Sequence, residues 1–295
     1  MAALIASGVA WGTSVPLSKV ALGWLAPGWL TVARFGLAAI VLLVIAYRSG
    51  KLGKALTLPI LASGAIGYGC SVAIQNDGLA RTSVTHASLI IGATPILVAI
   101  IAAVWHHAVA RPVAWAGFTL SLMGVGLIAG GQGHGATPLG DLLVLVATVI
   151  AASVTVAQGR LLVGRDPIAL TAVQFLGATL GALPFAATEH LPTMHPGAGA
   201  IAATLALAAC GTIIPFSLFA LGMKKVSAEV AGAFLNLEPL VGAAVGIVAF
   251  ADPWGPRQLG GGLAIVAGIV LSCLPLLGTR QRPALPETGP LARIA

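Results

Sequence analysis

The chain has 295 residues, of which 58% are hydrophobic and only 8% charged, against roughly 25% charged in an ordinary soluble domain. Its mean hydropathy is +1.01, and fifteen Lys and Arg against eight Asp and Glu leave a net charge of +7. So little charge cannot keep a globule of this size in water, which excludes a soluble enzyme, a nucleic-acid-binding domain and a disordered protein.

A helix that crosses the hydrocarbon core needs about 20 mostly apolar residues. Ten ranges meet this: 2–21, 27–46, 57–77, 82–104, 112–130, 139–159, 167–187, 198–221, 227–250 and 256–277. The first has no basic region before it and no small-residue cleavage site, so it reads as a retained helix and not a signal peptide; it carries Trp11, Ser14, Pro16 and Lys19. The second holds Arg34, and the third holds Tyr68, Gln75 and Asn76. The fourth holds His86, Ser88, Thr94 and Pro95, and the fifth is rich in Gly and Ala. Ser153, Thr155 and Gln158 lie in the sixth, Gln174 and Pro184 in the seventh, Pro215 and Phe216 in the eighth. The ninth carries Asn236, Glu238 and Pro239, and the tenth repeats the Gly-rich character of the fifth. A polar, Pro-rich tail, 278–295, is expected to be disordered. Cys70, Cys210 and Cys273 fall in separate spans and form neither a disulfide nor a metal pattern.

Basic residues beside short loops face the cytoplasm. With the N-terminus inside, eleven Lys and Arg (Arg48, Lys51, Lys54, Arg111, Arg160, Arg165, Lys224, Lys225, Arg280, Arg282 and Arg293) fall on the inner side, and Lys19, Arg81 and Arg257 on the outer. Both termini are therefore expected in the cytoplasm, in a bacterial inner membrane. The net positive charge is a topology signal and not a nucleic-acid footprint.

The chain repeats itself. Pro27, Leu30, Thr31, Phe35, Ala38 and Leu43 recur 140 residues later as Pro167, Leu170, Thr171, Phe175, Ala178 and Leu183. Gly67, Gly78, Pro95, Pro112, Gly117 and Gly124 recur 144 residues later as Gly211, Gly222, Pro239, Pro256, Gly261 and Gly268. Five spans per half is an odd number, so the second half enters the membrane from the opposite side. The fold expected is all-α, ten transmembrane helices in two inverted repeats, 1–135 and 136–277. Such a pair places a substrate site between the halves, near the midplane.

Several segments resemble the drug/metabolite transporter superfamily, in its EamA family. They are WGTSVPLSK from Trp11, GLARTSVTHASLI from Gly78, ATPILVAI from Ala93, NLEPLVGAAVG from Asn236, and the Gly-rich stretches AGFTLSLMGVGLI and GGGLAIVAGIVLS. Their order across both halves is specific. The Gly-Glu pair with which many members end the fourth and ninth spans is missing: Trp105-His106-His107 and Phe250-Ala251-Asp252 stand there. The resemblance implies a secondary transporter, often an exporter of amino acids or other small metabolites, similar in kind to the bacterial YddG-type amino-acid exporters.

The residues themselves point to a polar and aromatic pathway. Trp11, Ser14, Tyr68, Asn76, His86, Ser88, Ser153, Gln158, Phe216, Asn236 and Glu238 come from both halves and form the expected substrate-binding set. A carboxylate inside a bilayer is costly, so Glu238 is by default functional or faces a polar cavity, where it could carry a proton or meet an ammonium. Pro16, Pro95, Pro215 and Pro239 each remove a backbone donor, free a carbonyl and allow a bend; they are the expected gate and kink positions. Arg34 could bind a carboxylate, snorkel to the interface or pair with an acid. Phosphorylated solutes would call for several intramembrane cations, and only Arg34 qualifies. Amino acids are the first expectation, and proton-coupled efflux of hydrophobic cations or drugs the alternative. No metal site, nucleotide loop, zinc motif or nucleophile turn is present in the sequence, so no cofactor and no enzyme activity are expected. The expected partners are a small-molecule substrate and the lipid bilayer. The Gly-rich fifth and tenth spans read as scaffold or as the face of a homodimer.

Overall fold

The computed structural model describes residues 1–82, 90–106, 111–129, 137–192, 196–226, 228–238, 240, 241, 244 and 255–277. Among these, every regular element is helical. Five helices are long and apolar enough to cross a membrane: Pro27–Arg48, Leu58–Leu79, Pro138–Leu161, Pro167–Ala186 and Ala198–Met223. Their outward faces carry exposed Ile40, Val44, Leu145, Leu180 and Leu205, a surface suited to lipid, with the backbone groups bonded within each helix.

The helices begin where Pro supplies a preset φ and lacks an N–H that would be unpaired anyway. This holds for α3 (Pro27–Arg48), α8 (Pro112–Ala129), α9 (Pro138–Leu161), α10 (Pro167–Ala186) and α14 (Pro256–Leu277). The first range divides at Thr13 into α1 (Ala2–Gly12) and α2 (Ser14–Ala21). After the short α4 (Leu52–Ala55), the third range is α5 (Leu58–Gly64) and α6 (Ser71–Arg81), joined by a π-helical turn, Ala65–Cys70. The eighth range has the same plan: α11 (Ala198–Ala208), a π-helical turn at Ala209–Ile213, then α12 (Ile214–Met223). The two π turns start 144 residues apart, the offset of the sequence repeat. The remaining described pieces are α7 (Thr94–His106), and α13 (Ala228–Ala233) followed by a 3-10 turn at Phe234–Asn236. The tail 278–295, His86, Ser88 and Pro239 lie outside the described residues.

Small residues set the packing. Helices α3 and α10 cross at the centre of the molecule, where Gly28 lies against Ala186 and Phe35 stacks at a tilt on Phe175, ring centroids 5.3 Å apart. Phe35 and Phe175 are repeat counterparts and are both fully buried. Helix α10 also presses into α5 and its π turn: a Cβ on Gly64, Gly69, Gly177 or Gly181 would collide with a backbone carbonyl of the other helix. Helices α8 and α14 meet through a second seam. A Cβ on Gly117 would lie 2.5 Å from the Gly268 carbonyl, and one on Gly124 2.6 Å from that of Gly261. The glycines of these two helices thus pack on each other within one chain. A homodimer would have to use the outward faces, where Met123, Leu259 and Leu263 are exposed.

The two ends of the α3–α10 pair are tied across the halves. Helix α3 has Ala26 at its N-cap and no cap of its own. Glu189, beyond the end of α10, accepts from the amides of Gly28 (2.9 Å) and Trp29 (3.2 Å) instead. At the other end Asp166 caps α10 through Ile168 and Ala169 and pairs with Lys51 at 3.0 Å. Arg165 Nε donates to the Lys54 carbonyl at 3.1 Å.

Candidate functional site

Phe216 is the hub of an aromatic cluster drawn from both halves. Its ring lies 4.9 Å from Trp11, 4.8 Å from Tyr68, 5.3 Å from Phe175 and 6.0 Å from Phe35. Trp11 also meets Phe219 at 5.3 Å. Phe35 and Phe175 are sealed in the core. Trp11 and Tyr68 each touch Phe216, and all three stay partly accessible.

Glu238 comes near this group through its backbone. The backbone of its helix runs against α1, where Gly8 faces Phe234 and Leu237 and Gly12 faces Val241 and the Glu238 carbonyl. Only glycine permits so close an approach at Gly12. The Glu238 side chain is half-buried, and no described residue donates a hydrogen bond to it. Asn236, in the 3-10 turn before it, is buried.

Arg34 is 8% exposed. Its Nε donates to Thr212 Oγ1 and its Nη2 to the Gly211 carbonyl, both at 3.0 Å. The second bond has a local cause. Pro215 has no N–H to give to the Gly211 carbonyl four residues before it, and the guanidinium donates to that carbonyl. The Arg34 guanidinium also lies over the Phe35 ring, its central carbon 5.2 Å from the ring centroid. Arg34 and Glu238 do not form an ion pair within 4.0 Å, as Lys51–Asp166 and Arg81–Asp77 do.

The other expected prolines also follow a break. Pro16 is in the first turn of α2 after Thr13, and Pro95 in the first turn of α7 after Ala93. The carbonyl that Pro95 frees, that of Ile91, is taken by the Thr94 hydroxyl. The structure therefore brings Trp11, Tyr68 and Phe216 together, with Pro215 next to Phe216 in the chain and the Glu238 backbone against Gly12. Ser14 joins them: its hydroxyl is buried without a partner, 2.8 Å from where a Gly211 Cβ would stand.

Three expected residues lie elsewhere and are engaged. Gln158 and Gln174 exchange amide hydrogen bonds of 3.2 and 2.8 Å, and Gln174 also donates to Ser63 at 3.1 Å. Asn76 donates to Thr31 at 3.2 Å. Ser153 donates to the Val149 carbonyl of its own helix. His86, Ser88 and Pro239, as noted, are not described. Phe35, Phe175, Phe219 and Thr212 were not among the site residues expected from the sequence. An aromatic at the same place in both halves, Phe35 and Phe175, was the available signal for the first two.

Comparison with known proteins agrees with this architecture. The sequence profile of the EamA-like transporter family matches residues 1–130 and 138–274. A probable terminal-alkyne amino-acid exporter of Streptantibioticus cattleyicolor is 27% identical over 297 aligned positions, covering 96% of each chain. An uncharacterized transporter of Archaeoglobus fulgidus is 26% identical, covering 88% of this chain and 94% of the relative. A chain in a solved crystal structure superposes with a TM-score of 0.81 at 21% identity, covering 94% of this chain and 98% of the other, which shows a shared fold.

Proposed function

We propose, from the premise that the chain belongs to the EamA-like transporter family, that it is a secondary transporter moving small organic metabolites by alternating access. Its substrates are amino acids, and it acts as an exporter or a facilitator in a bacterial inner membrane, with both termini in the cytoplasm. The observation that carries this is the meeting of Trp11 and Tyr68 on Phe216, with the Glu238 backbone against Gly12 beside Trp11. Trp11, Tyr68, Phe216 and Glu238 come from both family-matched segments, and each is partly accessible within a span.

Three features support reading the halves as inverted repeats. The π turns recur at the repeat offset. Phe35 meets its own counterpart, Phe175. In the α8–α14 seam, Gly117 meets the counterpart of Gly124, and Gly124 meets the counterpart of Gly117. That reciprocal pattern is what a two-fold relation between the halves produces. The site then sits between the repeats, where such transporters bind solute. Within this reading Trp11, Ser14, Tyr68, Phe216, Asn236 and Glu238 contact substrate, and the breaks before Pro16, Pro95 and Pro215 supply the bending. The name of the S. cattleyicolor relative favours amino acids. The aromatic walls beside a lone carboxylate favour, as a second reading, efflux of hydrophobic cations.

The test is release of preloaded radiolabelled amino acids from proteoliposomes without an ion gradient, against empty liposomes. Saturable release is expected. No release with or without a proton gradient, together with proton-driven movement of tetraphenylphosphonium, would replace the amino-acid reading by the cation one.

A further inference from the structure

Resting on the reading of the chain as an amino-acid carrier, we propose that Arg34 and Glu238 form a two-ended clamp for a zwitterion. Arg34 takes the substrate carboxylate, Glu238 takes its ammonium, and the substrate side chain lies against Trp11, Tyr68 and Phe216.

The geometry assigns each end. The two groups stand on opposite halves, Arg34 on α3 and Glu238 beyond α13. Arg34 is hydrogen-bonded along one edge, and its face lies over the Phe35 ring. Thr212 takes Nε and Gly211 takes Nη2, which fixes the plane of the fork, while Nη1 has no acceptor among the described residues. Glu238 has acceptor oxygens, partial exposure and no donor among the described residues. Two opposite charges inside a bilayer normally close on each other or on other partners, because an unpaired charge there is costly. Here they remain further apart than an ion pair. Both border one aromatic cluster: Arg34 lies over Phe35, which meets Phe216, and the Glu238 backbone lies against Gly12, next to Trp11, which also meets Phe216.

A molecule that bridges the two must carry both signs. A carboxylate matches the free edge of a guanidinium, whose fork geometry suits it. An ammonium satisfies a carboxylate and is favoured beside aromatic faces. An amine alone would leave Arg34 unmatched, and an organic acid alone would leave Glu238 unmatched; each mismatch strands a charge in a site of low dielectric. The clamp therefore selects for the α-amino-acid head group and leaves the side chain to the aromatic wall, which has no shape specific to one residue.

The experiment uses the full-length protein in proteoliposomes with labelled phenylalanine and leucine. Unlabelled phenylalanine, phenethylamine and hydrocinnamate compete; the last two lack the carboxylate and the amino group respectively. Phenylalanine is expected to compete at least about tenfold better than either analogue, the size of a lost hydrogen bond to a charged group. Arg34→Gln should lose the preference over phenethylamine, and Glu238→Gln the preference over hydrocinnamate. This crossed pattern is not produced by a general loss of activity. Each variant reads one end, so a failure of Arg34→Gln to fold, through loss of its hold on Gly211, leaves the Glu238 arm decisive. Wild-type preferences retained in a folded variant would overturn the clamp while leaving the carrier reading intact. Absence of phenylalanine and leucine transport in the wild type, with tetraphenylphosphonium carried, would overturn the amino-acid reading and the clamp together.

Discussion

Glu189 and Asp166 show what single residues contribute at the ends of the central helix pair. Glu189 supplies α3 with the acceptor that Ala26 lacks, and a carboxylate near a helix N-terminus is favoured by the unpaired amides there. Glu189→Ala is expected to lower stability by about 1 kcal/mol, read as a lower melting temperature in detergent. Asp166 has opposing influences. Burial raises its carboxyl, but the Lys51 ammonium and the amides of Ala169 and Ile168 outweigh that and hold it below the ordinary carboxylate value. A lowered value in the folded state means stability that is present above the unfolded pKa of about 3.9 and is lost as the pH falls through the folded value. Asp166→Ala should therefore cost about 1 kcal/mol at neutral pH, and its gap from wild type should shrink in unfolding measurements below about pH 4. Lys51→Ala alone should change little, since the ammonium side is well exposed.

The helical elements are sensitive in a different way, through their glycines. On α5, Gly64→Ala drives a methyl into the Gln174 carbonyl, a backbone atom that cannot step aside. A loss of about 1–3 kcal/mol is expected, the range for overpacking. Gly36→Ala on α3 meets only Thr179 at 3.6 Å, an ordinary contact, and should melt within about 0.5 kcal/mol of wild type. Equal melting of both variants would mean that the α5–α10 approach is less tight than described. At this scale much was legible in the sequence. The ranges opening at Pro27, Pro112, Pro167 and Pro256 start where helices start, because Pro at the first helical turn is a local signal. The π turns and the break at Thr13 were not legible, because they depend on which carbonyls find partners in other helices. Arg34 shows the same limit at the site. Its residue type announced a choice between binding and snorkelling, but its acceptors, Gly211 and Thr212, lie about 180 residues away in sequence. Gln158 was read as lining the path with the other polar residues of both halves; Gln174 provides it a partner across the short connection between α9 and α10.

Over the whole molecule, the α3–α10 pair is pinned at both ends, by Glu189 and by the Lys51–Asp166 and Arg165–Lys54 contacts. The Glu238 segment reaches the site only by lying on α1. Rearrangement during transport is therefore expected around this pair, with the breaks at Thr13 and Ala93 as hinges. A single cysteine replacing Lys54 in a Cys-free background should be modified by an impermeant maleimide only from the cytoplasmic side; modification from outside would reverse the orientation.

The trans cap on α3 bears on how the chain is made. When the ribosome has delivered only the first half, the amides of Gly28 and Trp29 have no carboxylate to meet, for Glu189 has yet to be synthesised. Insertion of the early helices must run ahead of their final anchoring, and the nascent first half waits in the membrane as an open template. A gene cut in the connection near residue 135 should for that reason yield two fragments that are each degraded alone and that protect one another when expressed together.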